Sequence, residues 1–287
     1  METIGQQQLW VFRDGINDAV SIQKRAFRKE KAHYVASYLD LAKKVAELQF
    51  KNRDYVLLFR GQRHDIRNLQ KFTTLKPSLF RPRSGSRRNP DQEILTNRFD
   101  RLRAAERVLL QRYKGAALLG IERLERYQIL RWAILQHYEV CATPLLDVTQ
   151  SLRVAASFAS LGANEEAFIF VIGVPNISGA ITASAEAGLQ VIRLSSVCPP
   201  AALRPHLQEG YLLGEYPEMS GYDQKELYKH FEIDFGRRLV TKFRFDPDKF
   251  WKHSGSFPAV ARRALYPSES SDPLYSICLG VKSAIDI

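Results

Sequence analysis

Cysteine is scarce in this 287-residue chain: only Cys141, Cys198 and Cys278 occur. They are odd in number, far apart, and no two form a CxxC pair. That argues against a disulfide framework or a zinc ribbon, and for reduced thiols with no shared role. Long apolar runs are missing too. The longest, around Ala167 to Val174, falls well short of the roughly 20 residues a membrane-spanning helix needs. The N-terminus has no apolar signal core, so the expectation is a cytoplasmic protein without a membrane partner. Also absent are a GxxxxGK(S/T) loop, a GxGxxG turn after a strand, HExxH, GxSxG and any Cys/His cluster with metal-ligand spacing. These absences argue against P-loop and dinucleotide-fold nucleotide sites, zinc proteases and the commonest hydrolase elbow, and no metal is expected.

Charge is what the chain does have. Lys plus Arg total 42 against 31 Asp plus Glu, a formal net charge of +11. A basic surface of this size favours polyanionic partners, nucleic acid or nucleotides, without demanding them. A composition of 45% hydrophobic and 25% charged residues is ordinary enough for a sizeable core.

Residues from about Asn17 to Phe50 read as one or two helices, with Val35, Leu39, Ala42 and Ala46 at helical spacing. The basic cluster Lys24, Arg25, Arg28, Lys29 and Lys31 precedes that stripe and reads as a solvated face. Tyr55 to Phe59 reads as a buried strand that delivers Arg60 at its end. An Arg-, Pro- and Ser-rich loop follows from Lys76 to Pro90, holding Arg81, Arg83, Arg87 and Arg88, a candidate nucleic-acid contact. Asp91 can cap a helix carrying Leu102, Ala105, Leu109 and Tyr113. Another helix is expected from about Ile121 to Tyr138, with Leu124, Tyr127, Leu130 and Ile134 inward. Ser151 can cap a short helix whose small face, Ala155, Ala156 and Ala159, suits close packing on a sheet. Strands are expected at Ala167–Val174, Gln190–Leu194 and, half-buried, Arg238–Phe245; helices at 246–251, 258–265 and 274–283. The class is α+β: a helical N-terminal half packed on a small mixed or antiparallel sheet.

Two segments carry a family resemblance. Phe59-Arg60-Gly61-Gln62 is followed by Leu75-Lys76-Pro77-Ser78-Leu79-Phe80-Arg81. Then come Gln136-His137-Tyr138, Thr143-Pro144-Leu145-Leu146-Asp147-Val148-Thr149 and Ser151-Leu152-Arg153-Val154-Ala155 through Phe158-Ala159. This ordered set resembles the FRG domain. Weaker matches at Arg204–Gly210 and Ala264-Leu265-Tyr266-Pro267 extend the likeness from about Asp54 to Ser283. The implied organisation is an N-terminal helical segment over 1–50 and an FRG domain over 51–287. Glu139 stands where the family has glycine, and Cys141-Ala142 where it has proline.

A more distant resemblance, to ADP-ribosyltransferases of the Arg-Ser-Glu type, implies a chemistry. Arg60 takes the place of that family's strand-end arginine, and Thr149-Gln150-Ser151 precedes an Ala-x-x-Phe-Ala helix. Gln208-Glu209 takes the place of the Gln/Glu-x-Glu triplet, although its two residues are adjacent. The resemblance implies an ADP-ribosyltransferase-like core that cleaves NAD and passes ADP-ribose to a macromolecular acceptor. Charge favours nucleic acid as that acceptor; a protein is the other option. It also implies a toxin or phage-defence effector with an antitoxin or immunity partner. In such a site a guanidinium clamps the phosphates and a carboxylate stabilises the oxocarbenium-like cation. Arg60 is assigned to the clamp and Glu209 to the carboxylate. Gln62, His137, Tyr138, Asp147, Thr149, Ser151 and Gln208 are assigned to the NAD pocket.

Each assignment has a structural rival. Arg60 could pair with Asp147 for architecture alone, Ser151 could serve only as a helix cap, His137 could be a satisfied semi-buried histidine, and Glu209 an exposed loop acid. Two further functions stay open: a non-catalytic module binding RNA, DNA or nucleotide through a basic face, and a protein-interaction module with incidental charge.

Overall fold

A computed structural model describes residues 1–4, 8–22, 25–83, 86, 88–227 and 233–286. In chain order the N-terminal half holds β1 (Leu9–Val11), β2 (Val20–Ile22), β3 (His33–Tyr34), α1 (Tyr38–Lys51), β4 (Val56–Gln62), α2 (Gln92–Gly115), α3 (Ile121–Arg126) and α4 (Gln128–His137). Next come β5 (Leu146–Thr149), α5 (Leu152–Ser160), β6 (Ala167–Val174), β7 (Ile181–Ser184), β8 (Leu189–Arg193), α6 (Leu194–Val197), α7 (Leu203–Leu207) and β9 (Gly210–Glu215). The chain closes with α8 (Tyr222–Leu227), β10 (Leu239–Phe245), α9 (Pro247–Lys252), α10 (Arg262–Leu265) and α11 (Pro273–Ile285).

The fold is α+β, with an N-terminal helical region packed against a mixed, mainly antiparallel sheet. The sheet is not small: its eight strands run in the order β3-β10-β6-β4-β5-β9-β8-β7. Only the β3–β10 pair is parallel among them. β4 pairs with β6 along its whole length, from Val56↔Val174 to Gln62↔Phe168. To β5 it is joined only at Phe59↔Thr149. The sheet is therefore two four-stranded blocks held together at one seam, and beyond Phe59 the facing edges of β4 and β5 are left without a ladder.

Several local expectations hold. Asp91 accepts a hydrogen bond from the Ile94 amide at 3.0 Å, and Leu102, Ala105, Leu109 and Tyr113 are all buried on α2. Ser151 caps α5 through the Val154 amide. The small face of α5 lies so close to β4 that a Cβ on Gly61 would stand 1.9 Å from the Ala155 carbonyl oxygen. That contact excludes any side chain at position 61.

Others need correction. The expected helix over Asn17–Phe50 begins only at Tyr38, where Ser37 accepts a hydrogen bond from the Asp40 amide. Before it, β2, a 3-10 turn over Arg25–Lys29 and β3 occupy the chain, because β3 is drawn into the sheet beside β10. The buried stripe of α1 is Leu41, Val45 and Leu48, whereas Leu39 and Ala46 face out. Lys24 lies outside the described residues. Arg28 is no solvated side chain: it pairs with Asp234 and donates to the Thr73 carbonyl. The helix expected over 121–138 breaks at Tyr127. Arg131 donates to the Leu124 and Glu125 carbonyls that the break frees. Pro258–Leu265 is helical only over its last turn, α10.

β10 is buried on both faces rather than half-buried, and Lys242 within it is fully enclosed. Its Nζ donates to Asp65 at 2.9 Å and to Thr73 at 2.7 Å, so the charge is paired rather than exposed. Among the described residues no helix is long and apolar enough to cross a membrane.

Candidate functional site

A cavity of about 650 Å³ opens at the seam, within the ~300–1,000 Å³ range usual for small-ligand sites. β4 contributes Phe59 through Gln62, α4 contributes Gln136 and His137, and β5 contributes Asp147 through Thr149. α5 closes one wall with Ala155 and Phe158, while Arg204 comes from α7, Gln208 from the residue that caps it and Gly210 from the start of β9. Arg63, His64, Glu139, Arg262 and Tyr266 stand exposed at the mouth.

Arg60 lies inside β4, which runs on to Gln62, rather than at the strand's end. Its Nη1 donates to the backbone carbonyl of Asp147, a group the interrupted β4–β5 ladder leaves available. Arg60 Nε is buried and has no hydrogen-bond partner among the described residues. Burial and then the charge of Arg81 push the guanidinium down to about 10, against the opposing pull of Asp147. It stays protonated at neutral pH, a cation short of counter-charge. Gln62 Oε1 and Arg204 Nε are likewise buried without partners. The Arg204 guanidinium lies 4.9 Å from the Tyr266 ring centroid and donates to Glu139 at 2.8 Å.

The motif segments, far apart in sequence, converge on one hydrogen-bonded chain. Ser78 Oγ donates to Gln136 Oε1 at 2.9 Å, and Thr143 Oγ1 donates to the same atom at 2.6 Å. Both fix the amide so that Gln136 Nε2 donates to Asp147 Oδ2 at 2.7 Å. The other carboxylate oxygen, Oδ1, meets His137 Nδ1 at 3.3 Å. Burial alone would raise the Asp147 carboxyl; hydrogen bonds and charge from His137, the Arg60 cation and the Gln136 amide outweigh it, and the group sits below the usual carboxylate range. Burial lowers His137, against the hydrogen bond to Asp147. An ionised carboxylate can only accept, so the neutral imidazole carries its proton on Nδ1. The ring packs closely on Gly210, where a Cβ would come within 3.1 Å of His137 Cε1.

Of the residues singled out from the sequence, Arg60, Gln62, His137, Asp147, Thr149 and Gln208 line this cavity. Thr149 is buried, its Oγ1 donating to the Gln208 carbonyl at 2.7 Å. Tyr138 and Ser151 do not line it. Tyr138 is buried with its hydroxyl on Asp272, and burial pushes its pKa up. Ser151 serves as the α5 cap.

Glu209 is the main correction, because it is exposed and does not line the cavity. Gln208 turns inward, its amide on the Leu265 carbonyl at 2.6 Å, and the left-handed backbone at Glu209 (φ 45°) carries the next side chain outward. The ionised acid inside the cavity is Asp147. Arg81 also moves: it is half-buried, donates to the Lys76 carbonyl, and is lowered by burial against the pull of Asp147, so it belongs beside the cavity. Arg83 and Arg88 are exposed, and Arg87 lies outside the described residues.

Glu139, Arg204, Arg262 and Tyr266 are cavity residues that the sequence left without a role. Arg204 and Tyr266 fell within the weaker motif matches. The signal at Glu139 was its departure from glycine: it holds a left-handed φ of 56°.

No curated protein and no solved structure matches the chain. The family model described as "FRG domain" matches residues 55–167, the stretch that contributes Arg60, Gln136, His137 and Asp147. The chain thus contains an FRG domain, spanning residues 55–167.

Proposed function

We propose that the seam cavity binds NAD and that the chain is an ADP-ribosyltransferase-like enzyme, transferring ADP-ribose to a macromolecular acceptor. The observation that carries this reading is Arg60: a buried guanidinium with an unpartnered Nε, lining a nucleotide-sized cavity. A cation desolvated without full counter-charge gains most from a phosphate that can accept from two of its donors. Arg204, paired with Glu139 through Nη2 but with Nε unpartnered, supplies a second guanidinium in the same cavity, which suits a pyrophosphate.

Nicotinamide departure leaves positive charge on the ribose. In this reading the ionised Asp147 takes over the part expected of Glu209, since only the former is in the cavity. The exposed Arg83 and Arg88 provide a basic approach for a nucleic-acid acceptor.

The test is release of nicotinamide from NAD by the purified chain. Arg60→Ala and Asp147→Asn should abolish release, and Glu209→Gln should leave it intact. Release that survives the first two substitutions would sink the reading. The position of Glu209 favours one alternative, a module that binds nucleotide without cleaving it. That alternative gives salt-dependent binding and no nicotinamide at any enzyme concentration.

A further inference from the structure

The chain of hydrogen bonds that starts at Ser78 and Thr143 ends on the imidazole of His137. Gln136 holds one oxygen of Asp147 and His137 Nδ1 meets the other. His137 Nε2 is buried and makes no hydrogen bond of normal geometry among the described residues, with the Arg204 backbone as its nearest polar neighbour. With the proton on Nδ1, Nε2 carries the ring's lone pair, and His137 lines the cavity. A histidine needed only for packing would gain by satisfying that atom, because an unmet buried polar group costs about 1–3 kcal/mol.

We infer that His137 is the general base of the transfer step, taking a proton from the acceptor, with Asp147 and Gln136 as the residues that position it. The inference rests on the NAD reading above. As the acceptor's oxygen or nitrogen forms its bond to ribose C1′, its proton passes to His137 Nε2. The C1′–nitrogen bond breaks, and its electron pair returns to the pyridinium ring, which leaves as neutral nicotinamide. The imidazolium so formed is stabilised by Asp147. Water in place of the acceptor gives hydrolysis by the same step.

The charged groups facing the imidazole are Asp147 from β5 and Arg204 from α7; Arg60 from β4 reaches the Asp147 carbonyl. Because His137 titrates below the ordinary 6.5, the base is free at neutral pH, and activity should fall only on acidification beneath that value.

Two measurements test the inference. His137→Gln keeps a donor for Asp147 but removes the base. At saturating NAD it should release nicotinamide about 100-fold more slowly and lose the acidic limb of the pH profile. Rates within about threefold of wild type, or a persisting acidic limb, would overturn the role. Independently of any variant, long-range imidazole NMR on the wild-type chain should find the Nδ1–H tautomer at neutral pH; an Nε2–H tautomer or an imidazolium there would also overturn it. A wild-type chain that releases no nicotinamide refutes the NAD reading and this step together. Release that is insensitive to His137 refutes the base alone.

Discussion

Arg60→Met removes the cavity's buried cation while keeping most of its volume, and two opposing terms set the outcome. Depression of the guanidinium from 12.5 to about 10 corresponds to on the order of 3 kcal/mol of unfavourable burial, at about 1.4 kcal/mol per pH unit. That is an upper bound, because part of the side chain still meets solvent. The substitution also deletes the charged hydrogen bond to the Asp147 carbonyl, worth roughly 1.5–3 kcal/mol. The unliganded variant should therefore be at most about 1.5 kcal/mol more stable than wild type, a rise in Tm of at most a few degrees, and should lose no more than the roughly 3 kcal/mol of that hydrogen bond.

The sign with pH follows from a base whose folded pKa lies below its unfolded one. Its cost is full below about 10 and fades only as pH rises from there toward 12.5. The difference between variant and wild type should thus be flat across neutral pH. Ligand linkage separates function from architecture. ADP-ribose at about 100 times its Kd should stabilise wild type by about 2.7 kcal/mol and leave Arg60→Met unshifted. Thermal melts with and without ADP-ribose read both terms. A variant destabilised by more than about 3 kcal/mol that retains its ligand shift would refute the reasoning and make Arg60 an architectural residue.

Glu139→Gly should relieve the left-handed backbone, adding roughly 1 kcal/mol to stability, and free Arg204 for the ligand. Melting and ADP-ribose titration should therefore both improve, and weaker binding would make Glu139 a ligand contact instead. Gly61→Ala drives a methyl into the Ala155 carbonyl. It should cost about 1–3 kcal/mol by denaturant titration and impair the cavity, since α5 and β4 are two of its walls. An unperturbed Gly61→Ala chain would mean that α5 can slide on the sheet.

The correctly read features share a physical origin. The Asp91 and Ser151 caps, the inward stripe of α2 and the small face of α5 each depend on residues within a turn or two of one another. The break at Tyr127 is not of that kind, because Arg131, held by Glu106 on α2, is positioned to take the freed carbonyls. The half-buried face expected of β10 failed for the same reason: Lys242 is tolerated inside because Asp65 and Thr73 arrive from a distant loop.

What the sequence by itself determined is the α+β class, the starts of α2, α3, α5, α9 and α11, and the FRG signature; the structure brings Arg60, Gln62, His137, Asp147, Thr149 and Gln208 to the lining of one cavity. Tertiary structure alone decided which acid that site contains. Asp147 and Glu209 are equally acidic in the sequence. The backbone turn after α7 sends Glu209 to solvent, while the seam between β4 and β5 keeps Asp147 beneath Arg60, tied to Gln136 and His137. A side chain's direction at a turn, and the partners that hold a buried charge ionised, depend on segments the local sequence does not contain.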